Sequence, residues 1–580
     1  MGFFDKPKKV KTEPMAVKSE SRPQTSPEAQ APPTQVHAKR EPAQSASQLE
    51  TVPEAQSSET QENPDETGGD RNAKKYANQS INRRLALLED FGLEDIEKIS
   101  YGPNRQRKET FMPVQRKKDE LYDPDYQIEE GPLFDKQEDN ETDVCIVGGD
   151  GKAPMIESFD DCELCEEIHE NLKRRHYRRP TSIQKYVIPL ILQRNQDIVA
   201  HAQTGSGKTA AFLLPIIHEV NLLKEVHGVG ENQWHPFAMI IAPVRELAQQ
   251  MCDEALSFAQ GTKVNVTTCY GHMPMGAMVR RLREDGCDIV TGTPGRLRHM
   301  VIDGYLKLDE LRYLILDEAD KLLTEDFLED IRAIKMNKFT NPDHRTMLFS
   351  ATFDEDTQQL FEKFLKPHYF FISVGVVNRA VDTVKQDFIE VGKYDKLDRL
   401  LELLISEAKE VKDPENKYIR YDIERTIVFV HQKRRTDRVA IALAFHGFRV
   451  ISISSERTMQ QRSEAINGFL HGTYQIIVAT DVIGRGLNLP KVGLIVNYDM
   501  PRDDDLRYIH RIGRTGRVGN IGRAISFFDP DSQDMMRAGF YVQVLKDVNQ
   551  EVPEFLRQYV EDQEAANREV LKSYKKEHKH

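Results

Sequence analysis

Short apolar runs alternate with helical segments through most of the chain. The runs FAMIIAP, DIVTGTP, YLILDEAD and TMLFSATF form one set, and TIVFVHQ, RVISISS, QIIVATD, GLIVNYD and AISFFD form a second. Near-continuous apolar strands separated by helices are typical of parallel sheets that are covered on both faces. The pattern therefore predicts two α/β domains, which join near residues 373–384.

The N-terminal part of the chain lacks this pattern. Residues 5–75 contain no aromatic residue and are rich in Pro, Ser, Glu, Gln and Lys, so they cannot bury enough apolar surface to offset their chain entropy. In residues 80–99, Leu85, Leu88 and Phe91 have helical spacing, which predicts either a partner-binding helix or a transient one. The domain prediction is a disordered tail at 1–130, a core-flanking segment at 131–158, a first α/β domain at 159–376, a linker at 377–384, a second α/β domain at 385–546 and a helical extension at 547–580.

Composition and charge narrow the class of protein. The net charge of −13 would ordinarily argue against a nucleic-acid partner, but this number averages over a tail and two domains. The six cysteines are irregularly spaced, which predicts reduced thiols in an intracellular protein, and the Cys162–Cys165 pair lacks a second pair at zinc spacing. No apolar run approaches the length of a membrane span, so no membrane partner is expected.

Residues 201–212, HAQTGSGKTAAF, follow the apolar run DIVA and precede a helical segment. Gly205 and Gly207 let backbone N–H groups turn towards a phosphate at the start of that helix. Lys208 is expected to reach the β- and γ-phosphates, and the Thr209 hydroxyl to bind Mg²⁺. The strict pattern begins with glycine where this chain has Ala202. The loop predicts a nucleoside triphosphate site, and the alternative is an ordinary glycine-rich turn.

The run YLIL ends in the acidic sequence Asp317-Glu318-Ala319-Asp320. A strand that brings two adjacent carboxylates next to a phosphate loop is suited to Mg²⁺-dependent hydrolysis. Asp317 is expected to hold the metal through water, and Glu318 to orient or deprotonate the attacking water. A solvated acidic turn is the alternative interpretation.

These pieces belong to a larger set of motifs that run in one order along residues 155–530. The set is PTSIQ (180–184), AQTGSGKT, APVRELA (242–248), TGTPGR (291–296), DEAD, SAT (350–352), VATDVIGRG (478–486) and HRIGRTGR (510–517). The chain resembles the DEAD-box ATP-dependent RNA helicases. Residues 133–159 also resemble the segment before the core in the Vasa and Ded branch of that family. The resemblance implies two tandem RecA-like domains that close over ATP on one side and single-stranded RNA on the other.

The resemblance also assigns roles to individual residues. It implies catalytic roles for Glu318, Lys208, Arg514 and Arg517, the two arginines reaching the phosphates from the second domain. It implies nucleotide contacts from Phe159, Gln184, Ala202, Gln203, Thr204, Gly205, Ser206, Gly207, Lys208, Thr209, Asp317, Gly486 and Asn488, with Phe159 on the adenine and Gln184 reading its edge. The implied cofactors are ATP and Mg²⁺, the latter bound by Thr209 and Asp317.

RNA contacts are implied for Pro243, Arg245, Gly271, Thr293, Gly295, Arg296, Arg462, Thr480 and Gly484. Ser350, Thr352, Asp320 and His510 match the positions that link the ATP and RNA sites. Most such contacts meet phosphate or sugar, so binding to single strands and short duplexes should not depend on base sequence. Four residues depart from the family pattern, namely Val244, His272, Met459 and Asn488. They leave the ATPase residues intact and put efficient unwinding in question.

The sequence thus predicts an RNA-stimulated ATPase that locally unwinds short RNA duplexes and remodels ribonucleoproteins. The first alternative is an ATP-dependent RNA clamp with little unwinding, and a DNA helicase is a more distant one. The core is expected to be monomeric, with the tail available to protein partners. A cytoplasmic location, including ribonucleoprotein granules, is expected, and KPKKVK (6–11) makes a nuclear location the alternative.

Overall fold

The computed structural model describes residues 111–113, 116–127, 129–134, 144–149, 153–227, 234–353, 355–375, 380, 382–412, 419–481, 483–484, 487, 489–502 and 505–577. The predictions for residues 1–110, including KPKKVK and the helix at 80–99, lie outside these ranges. Gly486 and Asn488 lie outside them as well.

The first domain is built on an eight-stranded sheet. Its strands are β1 (Val144–Gly148), β2 (Ile198–Ala202), β3 (Ala238–Ile241), β4 (Val266–Cys269), β5 (Ile289–Gly292), β6 (Tyr313–Asp317), β7 (Arg345–Ser350) and β8 (Phe370–Val374). They lie in the order β1-β8-β2-β7-β6-β3-β5-β4, and β1 alone pairs antiparallel. Every residue of β2 to β7 is buried, because helices cover both faces of a parallel sheet.

Nine α-helices of the described chain belong to this first domain. They are α1 (Glu166–Arg174), α2 (Ser182–Gln193), α3 (Lys208–His227), α4 (Arg245–Phe258), α5 (Met275–Asp285), α6 (Pro294–Ile302), α7 (Ala319–Leu322), α8 (Glu325–Lys335) and α9 (Glu355–Phe364). Local sequence fixes several of their starts. Thr181 and Gln184 form a reciprocal capping box at the start of α2, and Pro294 occupies the first turn of α6, where its missing N–H costs nothing.

The second domain has a six-stranded parallel sheet and a separate two-stranded hairpin. Its strands are β9 (Val384–Glu390), β10 (Lys409–Lys412), β11 (Ile419–Asp422), β12 (Arg425–Phe429), β13 (Val450–Ile453), β14 (Ile476–Ala479), β15 (Val492–Asn497) and β16 (Gly522–Phe528). The order in the sheet is β13-β14-β12-β15-β16-β9, and β10 pairs only with β11. The prediction of two parallel-sheet α/β domains is confirmed, whereas the apolar pattern gave no sign of the hairpin.

The helices of the second domain are α10 (Lys396–Glu407), α11 (Lys433–Phe445), α12 (Met459–Leu470), α13 (Leu506–Ile512), α14 (Ala538–Asp547) and α15 (Glu554–Glu577). The first turns of α15 pack on the domain. Leu556 is fully buried, and the rings of Phe528 and Phe555 lie 5.8 Å apart. Tyr559 Oη donates to Glu390 Oε1 at 3.1 Å, so this helix is anchored at its N-terminal end.

Residues before the first domain pack on the core as well. Short 3₁₀ turns form at Glu120–Tyr122 and Pro124–Tyr126, and Leu121 in the first of them is buried. The N–H of Gly131 donates to the Val518 carbonyl at 2.8 Å. The predicted disordered tail therefore ends before residue 130, because residues ahead of that boundary already pack on the core. Averaged composition conceals the apolar and aromatic anchors that begin at Phe111.

Candidate nucleotide site and nucleic-acid surface

The carboxyl ends of three neighbouring strands meet at the predicted nucleotide site of the first domain. β2 leads into the glycine loop, β6 ends at Asp317, and β7 ends at Ser350. Because β2, β7 and β6 are adjacent and parallel, these three chain segments meet at one edge of the sheet. A cavity at this edge is lined by residues of both domains, among them Lys208, Thr209, Asp317, Glu318, Arg514 and Arg517.

The glycine loop has the backbone that a phosphate cradle requires. Gly205 and Gly207 have φ of 82° and 86°, a region that side chains disfavour. Lys208 Nζ donates to the carbonyls of Ala202 at 2.5 Å and Gln203 at 2.7 Å. The lysine is thus held over the loop at the start of α3. Burial lowers the pKa of Lys208, while the nearby Asp317 carboxylate opposes this shift.

The two acidic residues after β6 have different environments. Burial and the neighbouring Glu318 raise the pKa of Asp317, an effect that the Lys208 ammonium partly offsets. Glu318 adopts a left-handed conformation with φ of 53°, which turns the chain sharply into α7. Glu318 Oε2 is buried at the cavity and has no hydrogen-bond partner among the described residues. A carboxylate oxygen placed in this way is available to a water molecule on the terminal phosphate.

At the end of the cavity where the base is expected to bind, two side chains form hydrogen bonds with the glycine loop. Gln184 Nε2 donates to the Gly207 carbonyl at 3.0 Å, and Thr181 Oγ1 donates to the Ser206 carbonyl at 2.7 Å. Among the described residues, the phenyl and phenol side chains that line the cavity are Phe134 and Tyr177. Phe159 is buried behind Tyr177, with ring centroids 6.4 Å apart, and does not line the cavity. Sequence reasoning placed Phe159 on the base and missed Tyr177, whose only signal was its position shortly before PTSIQ.

Two arginines enter the cavity from the second domain. Arg514 Nη1 donates to the Leu487 carbonyl at 2.9 Å, and Arg517 Nη2 donates to the same carbonyl at 3.1 Å. Backbone contacts to His510 and Gly513 fix their Nε atoms at 3.0 Å each. Burial and the neighbouring Arg514 lower the pKa of Arg517. Two desolvated guanidinium groups held side by side are suited to a polyanion.

A hydrogen-bonded cluster connects the acidic turn with both β7 and the second domain. Asp320 accepts from Ser350 Oγ at 3.0 Å and from Thr352 Oγ1 at 2.9 Å. His510 Nε2 lies 3.5 Å from Thr352 Oγ1, so the second domain reaches this cluster directly. The structure therefore brings together the four residues that sequence reasoning assigned to coupling, Ser350, Thr352, Asp320 and His510.

The predicted RNA contacts of the first domain occupy a different part of the same sheet edge. β3, β5 and β4 are neighbours, and the residues that follow them carry Pro243, Arg245, Gly271, Thr293, Gly295 and Arg296. The guanidinium of Arg245 lies beside Gly271, 3.4 Å from where a Cβ would stand. Arg296 Nη1 donates to the Met273 carbonyl at 2.9 Å. Backbone groups, small residues and arginines thus share one surface, as phosphate and sugar binding requires.

The predicted RNA contacts of the second domain are more varied. Thr480 follows β14, and the Gly484 N–H donates to the Asp481 carbonyl at 3.1 Å. Arg462 on α12 is nearly buried and forms an ion pair with Glu246 on α4 of the first domain. This interdomain pair is a contact that sequence reasoning missed, since nothing local connects the two residues.

Three of the four departures from the family pattern lie in the described chain. Val244 is the N-cap of α4 and supplies no capping side chain. His272 has φ of 74°, a conformation that glycine adopts more easily. Met459, at the start of α12, is buried. These three residues lie at or near the predicted RNA surface, away from Lys208 and Glu318.

Two places in the described chain bear on metal binding, the Cys162–Cys165 pair and the nucleotide cavity. No group of three or more His, Cys, Asp or Glu side chains is arranged to hold a metal in the part of the chain that the structure describes. Burial raises the pKa of the Cys162 and Cys165 thiols to about 11, which disfavours the thiolate that a metal needs. Thr209 and Asp317 both line the nucleotide cavity, where a hydroxyl and a carboxylate fit Mg²⁺ bound together with phosphate.

Among the described helices, none combines the length and hydropathy needed to cross a bilayer.

The fold and the site define a two-domain nucleotide-binding protein with arginines shared across the domain interface. A family model described as DEAD/DEAH box helicase matches residues 181–360, and one described as helicase conserved C-terminal domain matches residues 395–519. The chain belongs to the DEAD/DEAH box helicase family. The resemblance drawn from the sequence motifs is confirmed.

Curated relatives agree with this assignment. The chain is 38% identical to ATP-dependent RNA helicase vasa of Drosophila melanogaster over 80% of its own length and 65% of the relative's. It is 38% identical to ATP-dependent RNA helicase DDX4 of Mus musculus over 74% of its own length and 58% of the relative's. The chain thus spans less than two thirds of the length of these relatives.

Solved structures share the architecture. The S. cerevisiae Dbp5 structure bound to RNA and ADP BeF3 matches with a TM-score of 0.57 and 26% identity, over 70% of this chain and 99% of that one. A structure of Mss116p bound to ssRNA and AMP-PNP matches with a TM-score of 0.59 at 24% identity, over 71% of this chain and 82% of that one. The second likeness concerns the fold alone.

Proposed function

We propose that this protein hydrolyses ATP in an RNA-dependent manner and uses domain closure to separate short RNA duplexes. One observation carries the proposal: Arg514 and Arg517 of the second domain line the same cavity as Lys208 and Glu318 of the first. A site assembled from two domains is complete only when they close. The names of the relatives, ATP-dependent RNA helicases, and the RNA and nucleotide bound to Dbp5 support the same function.

Each residue of the cavity has a defined part in hydrolysis. Lys208 exchanges its loop carbonyls for phosphate oxygens when nucleotide binds, and the loop N–H groups hold the phosphates. Thr209 and Asp317 would hold Mg²⁺, which neutralises phosphate charge when bound. Glu318 orients the attacking water and takes its proton. Arg514 and Arg517 stabilise the charge of the transition state, an effect worth about 10³–10⁵ in rate for arginines in this role.

RNA binds across the surface formed after β3, β5 and β4 and after β14. Contacts there come from arginines, hydroxyl groups and backbone, which meet phosphate and sugar more readily than base edges. Binding is therefore independent of sequence. Because the same closure that completes the RNA surface also brings in the arginines, RNA stimulates hydrolysis.

The test is a pair of rates measured with the full chain. ATP hydrolysis is measured with and without single-stranded RNA, and strand displacement is measured on a short RNA duplex in the same buffer. We expect stimulation by RNA and ATP-dependent displacement. Hydrolysis that RNA does not change would overturn the proposal, and stimulated hydrolysis without displacement would instead describe an ATP-dependent clamp.

The cellular setting follows from the same proposal. The core acts as a monomer in the cytoplasm, including ribonucleoprotein granules, and the N-terminal tail recruits protein partners. The KPKKVK sequence makes nuclear residence the alternative. Imaging of the full chain with and without residues 6–11 separates the two.

A further inference from the structure

A segment before the first domain, residues 116–127 and 129–134, runs across both domains; we refer to it as the strap. Its first contacts are with the first domain. Tyr122 Oη donates to Asn171 Oδ1 at 2.7 Å and lies 2.8 Å from the Ser257 carbonyl oxygen. Arg116 Nε lies 3.1 Å from Asp253 Oδ2. Leu121 is buried beside these contacts, so this part of the strap is held by polar and apolar groups together.

The strap's next residues contact the second domain instead. Asp125 faces three basic side chains there: Lys491 at 3.1 Å, Arg425 at 3.6 Å and His471 at 3.7 Å. The hydrogen bond from Lys491 lowers the pKa of Asp125, so the carboxylate is charged at neutral pH. Tyr126 Oη lies 3.0 Å from His471 Nε2. Tyr122 and Asp125 are only three positions apart in the sequence, yet they contact different domains.

The end of the strap reaches the nucleotide cavity. The Leu133 N–H donates to the Gly519 carbonyl at 3.0 Å, two residues beyond Arg517. A Cβ on Gly519 would stand 2.2 Å from the Phe134 backbone nitrogen, so the strap and the segment around Gly519 are in close backbone contact. Phe134 and Glu130 line the cavity, and the Arg179 guanidinium lies 5.1 Å from the Phe134 ring. The strap therefore connects both domains and borders the site that their closure completes.

We propose that the strap is a closure-dependent clasp, which docks fully only when the two domains come together and thereby stabilises the closed state. The reason is geometric. The contacts of Tyr122 and those of Asp125 can be made at once only in the closed arrangement, so docking and closure are linked equilibria. Losing the clasp then raises the ATP and RNA concentrations needed for closure without removing any group that acts on phosphate. The inference rests on the proposed RNA-dependent hydrolysis.

The test compares Asp125→Asn with Asp119→Asn in the full chain. Asp119 lies on the same segment and is exposed, so its substitution is a matched control for charge and position. Exposed ion pairs contribute modestly, so losing the contacts of Asp125 with Lys491 and Arg425 should raise the half-saturating RNA and ATP concentrations about three- to tenfold. Asp119→Asn should change neither, and the maximal rate should be similar in all three proteins.

Hydrogen exchange of the strap amides supplies a second readout that does not depend on hydrolysis. Adding single-stranded RNA with ADP–beryllium fluoride should slow exchange in residues 116–127 of the wild type, and less so in Asp125→Asn. Suppose that RNA stimulates the wild type, that Asp125→Asn behaves as Asp119→Asn does, and that the ligands do not change strap exchange. The proposal that the strap stabilises the closed state would then be wrong. If the wild type shows no RNA stimulation, the proposed function fails instead.

Discussion

The His510 ring of the second domain lies 3.6 Å from the Asp320 carboxylate of the first, measured from Nε2 to Oδ2. Thr352 Oγ1 donates to the same Asp320 oxygen at 2.9 Å. One carboxylate of the acidic turn thus contacts both the segment after β7 and the second domain. Because Asp320 follows Glu318 by two residues, a movement of the second domain can be transmitted to the Glu318 carboxylate through a short, packed connection.

Thr352→Val should uncouple hydrolysis from strand displacement. The substitution keeps the shape of the side chain and removes the hydroxyl between Asp320 and His510, leaving a buried carboxylate oxygen with one donor fewer. We expect strand displacement to fall at least about tenfold, which corresponds to roughly 1.4 kcal/mol, with a smaller loss in ATP hydrolysis. Thr473→Val, at an exposed position of the second domain away from this cluster, is the control for the chemical change itself. Equal losses in both activities would contradict the coupling role.

Lys208→Ala and Glu318→Gln should impair hydrolysis in different ways. In the proposed mechanism the lysine holds phosphate, so its loss should weaken nucleotide binding itself. The glutamine retains the shape of Glu318 but cannot take a proton, so nucleotide should still bind and a closed complex on RNA should accumulate. Equilibrium binding of a fluorescent ATP analogue, with retention on labelled RNA, measures both effects. If the two variants lost nucleotide affinity equally, the assigned roles would be wrong.

The interdomain pair of Glu246 and Arg462 makes a double-mutant cycle informative. Both side chains are nearly buried, and leaving one partner of a buried pair uncompensated costs about 3–5 kcal/mol. If the arginine acts by closing the domains, Glu246→Gln and Arg462→Met should weaken RNA binding in the presence of ATP, and the double variant should be little worse than either single one. Additive losses would show instead that Arg462 contacts RNA independently of Glu246, as sequence reasoning assigned it.

His201 should make the first domain sensitive to acid. Burial lowers its pKa from 6.5 to about 4, and its Nδ1 and Nε2 lie 3.0 Å from Ser373 Oγ and 3.2 Å from the Ala351 carbonyl. The unfolded chain takes up a proton here below pH 6.5 and the folded chain does not until about pH 4. Stability is therefore present at neutral pH and is lost as the pH falls through this window.

The size of this effect can be tested with a neutral substitution. From the shift, the free energy of unfolding should fall by about 2 kcal/mol between pH 7 and pH 5 through His201 alone. His201→Gln cannot titrate, so its thermal midpoint should drop less over the same range even if it starts lower. Parallel pH profiles for the wild type and the variant would rule out His201 as the origin of acid sensitivity.

Sequence patterns succeeded where the chemistry is local. The geometry of a glycine loop after a strand is determined by a few adjacent residues. The same holds for carboxylates at the end of a strand, so both could be predicted from the sequence. Glu246 and Arg462 show the limit of such patterns, since their contact depends on how two domains meet. The strap was missed for a similar reason: Tyr126 contacts residues more than 300 positions away, and an average over residues 1–130 conceals its few anchoring side chains.

Truncations at two different residues should separate the tail from the strap. Removing residues 1–110 takes away the import-like KPKKVK and the rest of the aromatic-poor region, but leaves every strap contact in place. We expect RNA-stimulated hydrolysis to stay within about twofold of the wild type, because no group that touches the cavity is lost, while the location in cells changes. Removing residues 1–134 also removes Tyr122, Asp125 and Phe134, and this shorter chain should need more RNA and more ATP for half-maximal hydrolysis than the first truncation.

The comparison uses two purified proteins that share the whole core, and circular dichroism checks that both are folded. If the first truncation already loses RNA stimulation, the tail contributes to the ATPase in a way that the core contacts do not reveal.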